Sequence, residues 1–114
     1  MLRADAVYGR FFLVGHKSDF SLRRFADIID IDWMVDMRRA AGGFGGTVVC
    51  GNIDPVAVLL QGTPEQVRAG VRENAAAGGR RWISAAGCEV PDGTPTANLL
   101  AQHEALVELA AEGL

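Results

Sequence analysis

Thr47-Val48-Val49-Cys50-Gly51-Asn52, followed a short way on by Thr63-Pro64-Glu65-Gln66, is the stretch on which the fold turns. The first part is short and apolar, as a strand covered on both faces is. The second is a helix start. Thr63 can cap it, Pro64 suits the first helical position, and Gln66 completes a capping box. Val67, Val71 and Ala75 then recur every four residues, giving one apolar stripe. Gly78-Gly79 ends that helix.

The same alternation extends outward from this unit. Three more β-prone runs are Arg10 to Gly15, Asp27 to Asp32 and Trp82 to Ala86. Helices are expected over Met34 to Ala41 and Ala97 to Ala111, and a shorter one over Phe20 to Phe25. In the last long helix, Leu99, Leu100, Leu106, Val107 and Ala110 are expected to form the apolar face, with Gln102, Glu104, Glu108 and Glu112 opposite. Strand and helix in alternation indicate a parallel α/β architecture. No internal repeat, low-complexity segment or long linker interrupts it.

Composition narrows the function classes. The chain has 114 residues, enough for one small domain. Its net charge is -3, and the basic pairs Arg23-Arg24, Arg38-Arg39 and Arg80-Arg81 lie far apart. That distribution argues against nucleic acid as a partner. Val56 to Leu60, the longest apolar stretch, is far too short for a membrane span. The first residues lack the apolar core of a signal peptide. Cys50 and Cys88 form no C-x-x-C pair. Without a secretory signal a disulfide is the weaker reading, and the expected location is cytoplasmic.

In parallel barrels the chemistry gathers just beyond the C-terminal ends of the strands. Here those positions carry His16, Lys17, Ser18 and Asp19; then Asp30 and Asp32; then Cys50, Asn52 and Asp54; then Cys88 and Glu89. Gly42 to Gly46 is glycine-rich, but it follows a helix and precedes a strand. A phosphate loop needs the opposite order, so this reads as a connecting loop. Cys50, inside a strand, reads as a small buried hydrophobe. His103 reads as a surface or boundary residue of the last helix. Cys88 follows a strand and sits between Gly87 and Glu89, where it reads equally as an inert buried thiol or as a thiolate that could bind a soft metal such as zinc.

Two ordered stretches carry a resemblance. The first is Asp32-Trp33-Met34-Val35-Asp36, then Val49-Cys50-Gly51-Asn52-Ile53-Asp54-Pro55, then Leu60-Gln61-Gly62-Thr63-Pro64-Glu65-Gln66-Val67. The second runs from Ala86-Gly87-Cys88-Glu89 through Pro91-Asp92-Gly93-Thr94-Pro95-Thr96-Ala97-Asn98-Leu99. Together they resemble the C-terminal portion of the uroporphyrinogen decarboxylase superfamily. That superfamily includes zinc-dependent methyltransferases, which move methyl groups between corrinoid proteins and thiols such as coenzyme M. The resemblance runs from about Ala26 to the C-terminus, leaving residues 1–25 as a divergent segment and 26–114 as the family portion.

The resemblance implies an α/β fold, the last three to four units of a (β/α)₈ TIM barrel. A complete barrel typically takes about 250 residues. The cysteine in Gly87-Cys88-Glu89 resembles the methyltransferase branch, where that residue is a zinc ligand; decarboxylases of porphyrin biosynthesis carry histidine in a G-H-G context. His16 stands nearest to the branch's His-x-Cys pair, although Ser18 replaces its cysteine. The implied metal ligands are therefore Cys88 and His16, and the implied substrate-binding residues are Asp32, Asn52 and Asp54. Zinc and a partner-bound corrinoid are the implied cofactors. A small-molecule substrate or a corrinoid protein is the implied partner, with a homo-oligomer or a missing barrel half completing the fold. A porphyrinogen decarboxylase and a non-catalytic remnant are the alternative readings. The chain alone is expected to be inactive.

Overall fold

The structure is a computed structural model that describes residues 11–14, 27–43 and 46–114. Its centre is a four-stranded sheet in the order β1 (Phe11–Val14), β2 (Ile28–Ile31), β3 (Val48–Ile53) and β4 (Trp82–Ala86). Every neighbouring pair is parallel. Among the described residues three α-helices accompany the strands: α1 (Met37–Gly43), α2 (Pro64–Gly78) and α3 (Thr96–Ala111). Consecutive strands are neighbours, as expected when each connection crosses back over one face of the sheet. The helix expected over Phe20 to Phe25, and His16, lie outside the described residues.

Side-chain alternation gives the sheet two unlike faces. Ile29, Ile31 and Val49 point toward the helices and pack with Val35, Met37 and Ala40. A second cluster joins Ile53, Leu59, Val67, Val71 and Ala75 to Ala101, Ala105 and Leu109 of α3. Trp82 packs against both clusters, and its Nε1 donates to the Gly51 carbonyl at 2.8 Å. The alternate positions Ile28, Asp30, Val48, Cys50 and Ile83 lie on the opposite face, which carries no helix among the described residues. They are only partly buried, and Ile83 is exposed.

The capping box at Thr63 forms as its sequence predicts. The Gln66 amide N–H donates to Thr63 Oγ1 at 3.2 Å, and Gln66 Oε1 accepts from the Thr63 N–H at 2.8 Å. Two expectations need correction. Helix α1 begins at Met37 rather than Met34, because Asp36 Oδ1 accepts the Arg39 N–H at 2.7 Å while residues 33–35 form a turn. Pro55–Leu60, read from the sequence only as an apolar run, is a π-helical segment. Its amides reach five residues back, Leu59 N–H to Asp54 O and Gln61 N–H to Val56 O.

The buried face of α3 also differs from the expected one. Asn98, Ala101, Ala105 and Leu109 are buried, whereas Leu99, Leu100 and Val107 are exposed. Two features set this rotation. The alanine face allows close approach to α2 and the π-helical segment. On the flank, Glu104 pairs with Arg68, and Arg72 pairs with Glu108 and Glu112 at 3.0 and 2.9 Å. These exposed pairs set orientation more than stability. Asn98 fixes the packing from inside, its Nδ2 donating to the carbonyls of Leu59 and Gly62 at 2.8 and 2.9 Å.

Candidate functional site at the strand ends

The residues with chemistry collect where parallel strands place them, just beyond the C-terminal ends of β2, β3 and β4. Asp32 follows β2, Asn52 and Asp54 flank the end of β3, and Cys88 stands two residues beyond β4. The β3–β4 ladder continues one residue past β4, where the Gly87 N–H donates to Ile53 O at 2.8 Å. Gly87 also lies against the backbone of Trp33. A Cβ at this position would sit 2.2 Å from the Trp33 nitrogen. Only glycine permits this approach, which brings the loop after β2 to the loop after β4 across the end of β3. Cys88 is exposed at that junction.

Each expected substrate-binding residue also has a local structural duty. Asp32 Oδ1 accepts the Met34 N–H at 3.0 Å. Asn52, which is buried, donates from Nδ2 to the carbonyl of Asp32 at 3.2 Å and to that of Val35. Its amide thereby ties the loop after β2 to the end of β3. Asp54 Oδ1 accepts from the Val56 and Ala57 N–H groups, both at 2.9 Å, capping the π-helical segment. Asn52 and Asp54 line a cavity of about 300 Å³ together with Trp33, Val58, Glu73 and Asn74.

Cys50 lies on the helix-free face beside Asp30, its partner in register. The thiol is pushed up to about 11, mainly by burial and then by the Asp30 charge and its hydrogen bond. Burial raises the Asp30 carboxyl as well, while the Cys50 hydrogen bond lowers it. Cys50 is thus a neutral thiol at neutral pH, in keeping with its reading as a small strand residue. Asp30 Oδ1 is buried without a hydrogen-bond partner among the described residues. The sequence showed both residues but not their pairing, which follows from register and side-chain parity. His103 is exposed on α3, as expected.

Among the described residues, the charge at this end is one-sided. Segments 32–36, 54 and 87–93 carry Asp32, Asp36, Asp54, Glu89 and Asp92, with no lysine or arginine among them. These described segments therefore present carboxylates to the strand ends, with no basic side chain of their own to offset them.

A family model described as uroporphyrinogen decarboxylase (URO-D) matches residues 15–109. The chain belongs to the uroporphyrinogen decarboxylase family. Within it, the chain is similar to a methylcobamide:CoM methyltransferase of Methanosarcina mazei. They are 40% identical over 77 residues, covering 68% of this chain and 22% of the relative. It is also similar to a uroporphyrinogen decarboxylase of a Synechococcus species, with 38% identity over 74 residues, 64% of this chain and 21% of that one. A solved structure of a methyltransferase from Methanosarcina mazei superposes with a TM-score of 0.66 at 22% identity, covering 73% of this chain and 25% of that one. This likeness shows the fold. The chain spans about a fifth of the length of these two curated relatives.

The methyltransferase branch of the uroporphyrinogen decarboxylase family raises the question of zinc, and the donor set answers it in part. Among the described residues, no three His, Cys, Asp or Glu side chains gather where they could hold a metal ion. Cys88 offers one thiolate donor, and His16 lies outside the described residues. The described residues therefore do not fit a complete zinc site. No described helix is long and apolar enough to cross a membrane.

Proposed function

We propose that this chain is the C-terminal part of a (β/α)₈ barrel of the methyl-transferring kind, acting in transfer of a methyl group from a methylated corrinoid to a thiol. The observation that carries this reading is Cys88. It is exposed at the strand ends, in the loop that Gly87 seats against Trp33. Similarity to the methylcobamide:CoM methyltransferase supports it.

The carboxylates of the described strand-end segments support this reading over decarboxylation. A porphyrinogen bears several carboxylates, and five protein carboxylates with no basic residue in segments 32–36, 54 and 87–93 would oppose it. Similarity to the Synechococcus decarboxylase is what keeps that second reading. Asp32 and Asp54 each use Oδ1 for a backbone N–H, which leaves Oδ2 to meet a donor on the substrate. Asn52 contributes by holding the loop between them in place. Cys88 and His16 are the residues of this chain proposed to contribute to a metal site, whose other donors come from elsewhere in the barrel. Four strands make half of an eight-stranded rim, so a single copy is expected to show no turnover.

Zinc content of the purified chain, beside its Cys88→Ser variant, tests the reading. Weak zinc binding that the variant loses is the expected result, since Cys88 is one donor of a set that the described residues do not complete. A folded chain without zinc, or one that binds a porphyrinogen without metal, would favour the decarboxylase reading instead.

A further inference from the structure

The loops after β2 and β4 are both fastened to the end of β3, and by adjacent residues. Asn52 is only 9% exposed, and its Nδ2 donates to the Asp32 carbonyl at 3.2 Å and to the Val35 carbonyl. An amide nitrogen carries two N–H groups, so both are engaged, and two acceptors on one nitrogen fix the orientation of the amide. The turn they hold also closes on itself. The Val35 N–H donates to Asp32 O at 3.0 Å, and the Met34 N–H donates to Asp32 Oδ1 at the same distance. Trp33 lies between the two clamped carbonyls. One residue on from Asn52, Ile53 O accepts the Gly87 N–H at 2.8 Å. Gly87 in turn rests on the Trp33 backbone, where a Cβ would meet the Trp33 nitrogen at 2.2 Å and its Cα at 2.5 Å.

We propose that Asn52 is a positioning residue for Cys88, acting through the backbone of Trp33. The proposal rests on the reading of Cys88 as the working group of the rim, and adds what holds that group in place. Consecutive Cα atoms are a fixed distance of about 3.8 Å apart, so whatever moves Gly87 carries Cys88 with it. The contact of Gly87 with Trp33 leaves no slack, so a shift of the Trp33 backbone is passed on rather than absorbed. The Asn52 amide is what prevents such a shift. Without its two donors, the carbonyls of Asp32 and Val35 lose their partner on β3 and must find another. The turn can then carry Trp33 off its seat. Every group in this relay is among the described residues, so the relay needs no contact from outside them.

Fluorine NMR of a trifluoromethyl label alkylated onto Cys88, in a Cys50→Ala background, tests this. Asn52→Asp removes both donors with little change in size, and should shift or split the label's signal. The same label on α3, carried by Leu100→Cys with Cys88→Ser, should keep its signal in the Asn52→Asp chain. An unmoved Cys88 label in a folded Asn52→Asp chain overturns the proposal. An equal change at both labels also overturns it, because Asn52 would then serve the fold as a whole. Coupling between two sites is reciprocal, so the relay can also be read with Asn52 intact. Gly87→Ala presses on Trp33 from the other side, and should speed hydrogen exchange of the Asn52 side-chain amide protons. Unchanged exchange there overturns the proposal even where Asn52→Asp fails to fold. The label reads where the loop stands and not its chemistry. A chain that binds no zinc but shows the expected shifts therefore sinks the methyl-transfer reading alone, and zinc binding with an unmoved label sinks positioning alone.

Discussion

Cys50 lies mid-strand beside Asp30, with its thiol pushed up to about 11, while Cys88 lies exposed in the loop after β4. The thiolate is the reacting form, so the two should differ in alkylation. At about pH 8, Cys88 should be modified more than about tenfold faster than Cys50, measured by peptide mass mapping after timed exposure to an alkylating reagent. Equal rates, or faster labelling of Cys50, would contradict its assignment as a shielded thiol. The same shift bears on stability. Between the ordinary value of 9.0 and about 11, the folded chain keeps a proton that the unfolded chain gives up. Stability from this group should therefore fall as pH rises through that window. Cys50→Ala should flatten the fall in a series of urea titrations.

At the scale of the element, α3 is held by its least conspicuous residues. Asn98 serves two carbonyls from inside, and Ala101 and Ala105 are fully packed. Asn98→Leu leaves both carbonyls unserved and should cost about 2–3 kcal/mol in urea unfolding. Leu100→Ala, on the exposed side, should cost within about 0.5 kcal/mol in a single copy. Equal costs would mean that the apolar stripe, not the alanine face, carries the helix. The strands, the capping box at Thr63 and the glycine end of α2 were legible in the sequence because each depends on local chemistry: β-branching, a side-chain cap, a residue without Cβ. The rotation of α3 was not legible. The pattern marks Leu99, Leu100 and Val107 as apolar, but which apolar arc faces inward depends on α2 and the π-helical segment. The π-helical segment itself escaped because a run of five apolar residues has no period that separates it from a strand. At the candidate site, Asp32, Asn52, Asp54 and Cys88 could be placed at the strand ends from the resemblance and strand assignments. Their hydrogen bonds could not, since Asn52 reaches residues 17 and 20 positions away.

For the whole molecule, the sheet order separates a protected centre from exposed sides. Amide exchange should be slowest in β3, which is paired on both sides, and faster in β4, which is paired only to β3. The meeting of Gly87 with Trp33 works at this scale too, since it joins the exits of two strands that are not neighbours. One position is locked by its lack of a side chain, and the next, Cys88, is exposed. Substitution at the second can therefore alter what the rim does, from thiol to imidazole, without moving the backbone that carries it. A fold divided in this way lets reaction chemistry diverge among relatives while the architecture beneath it stays put.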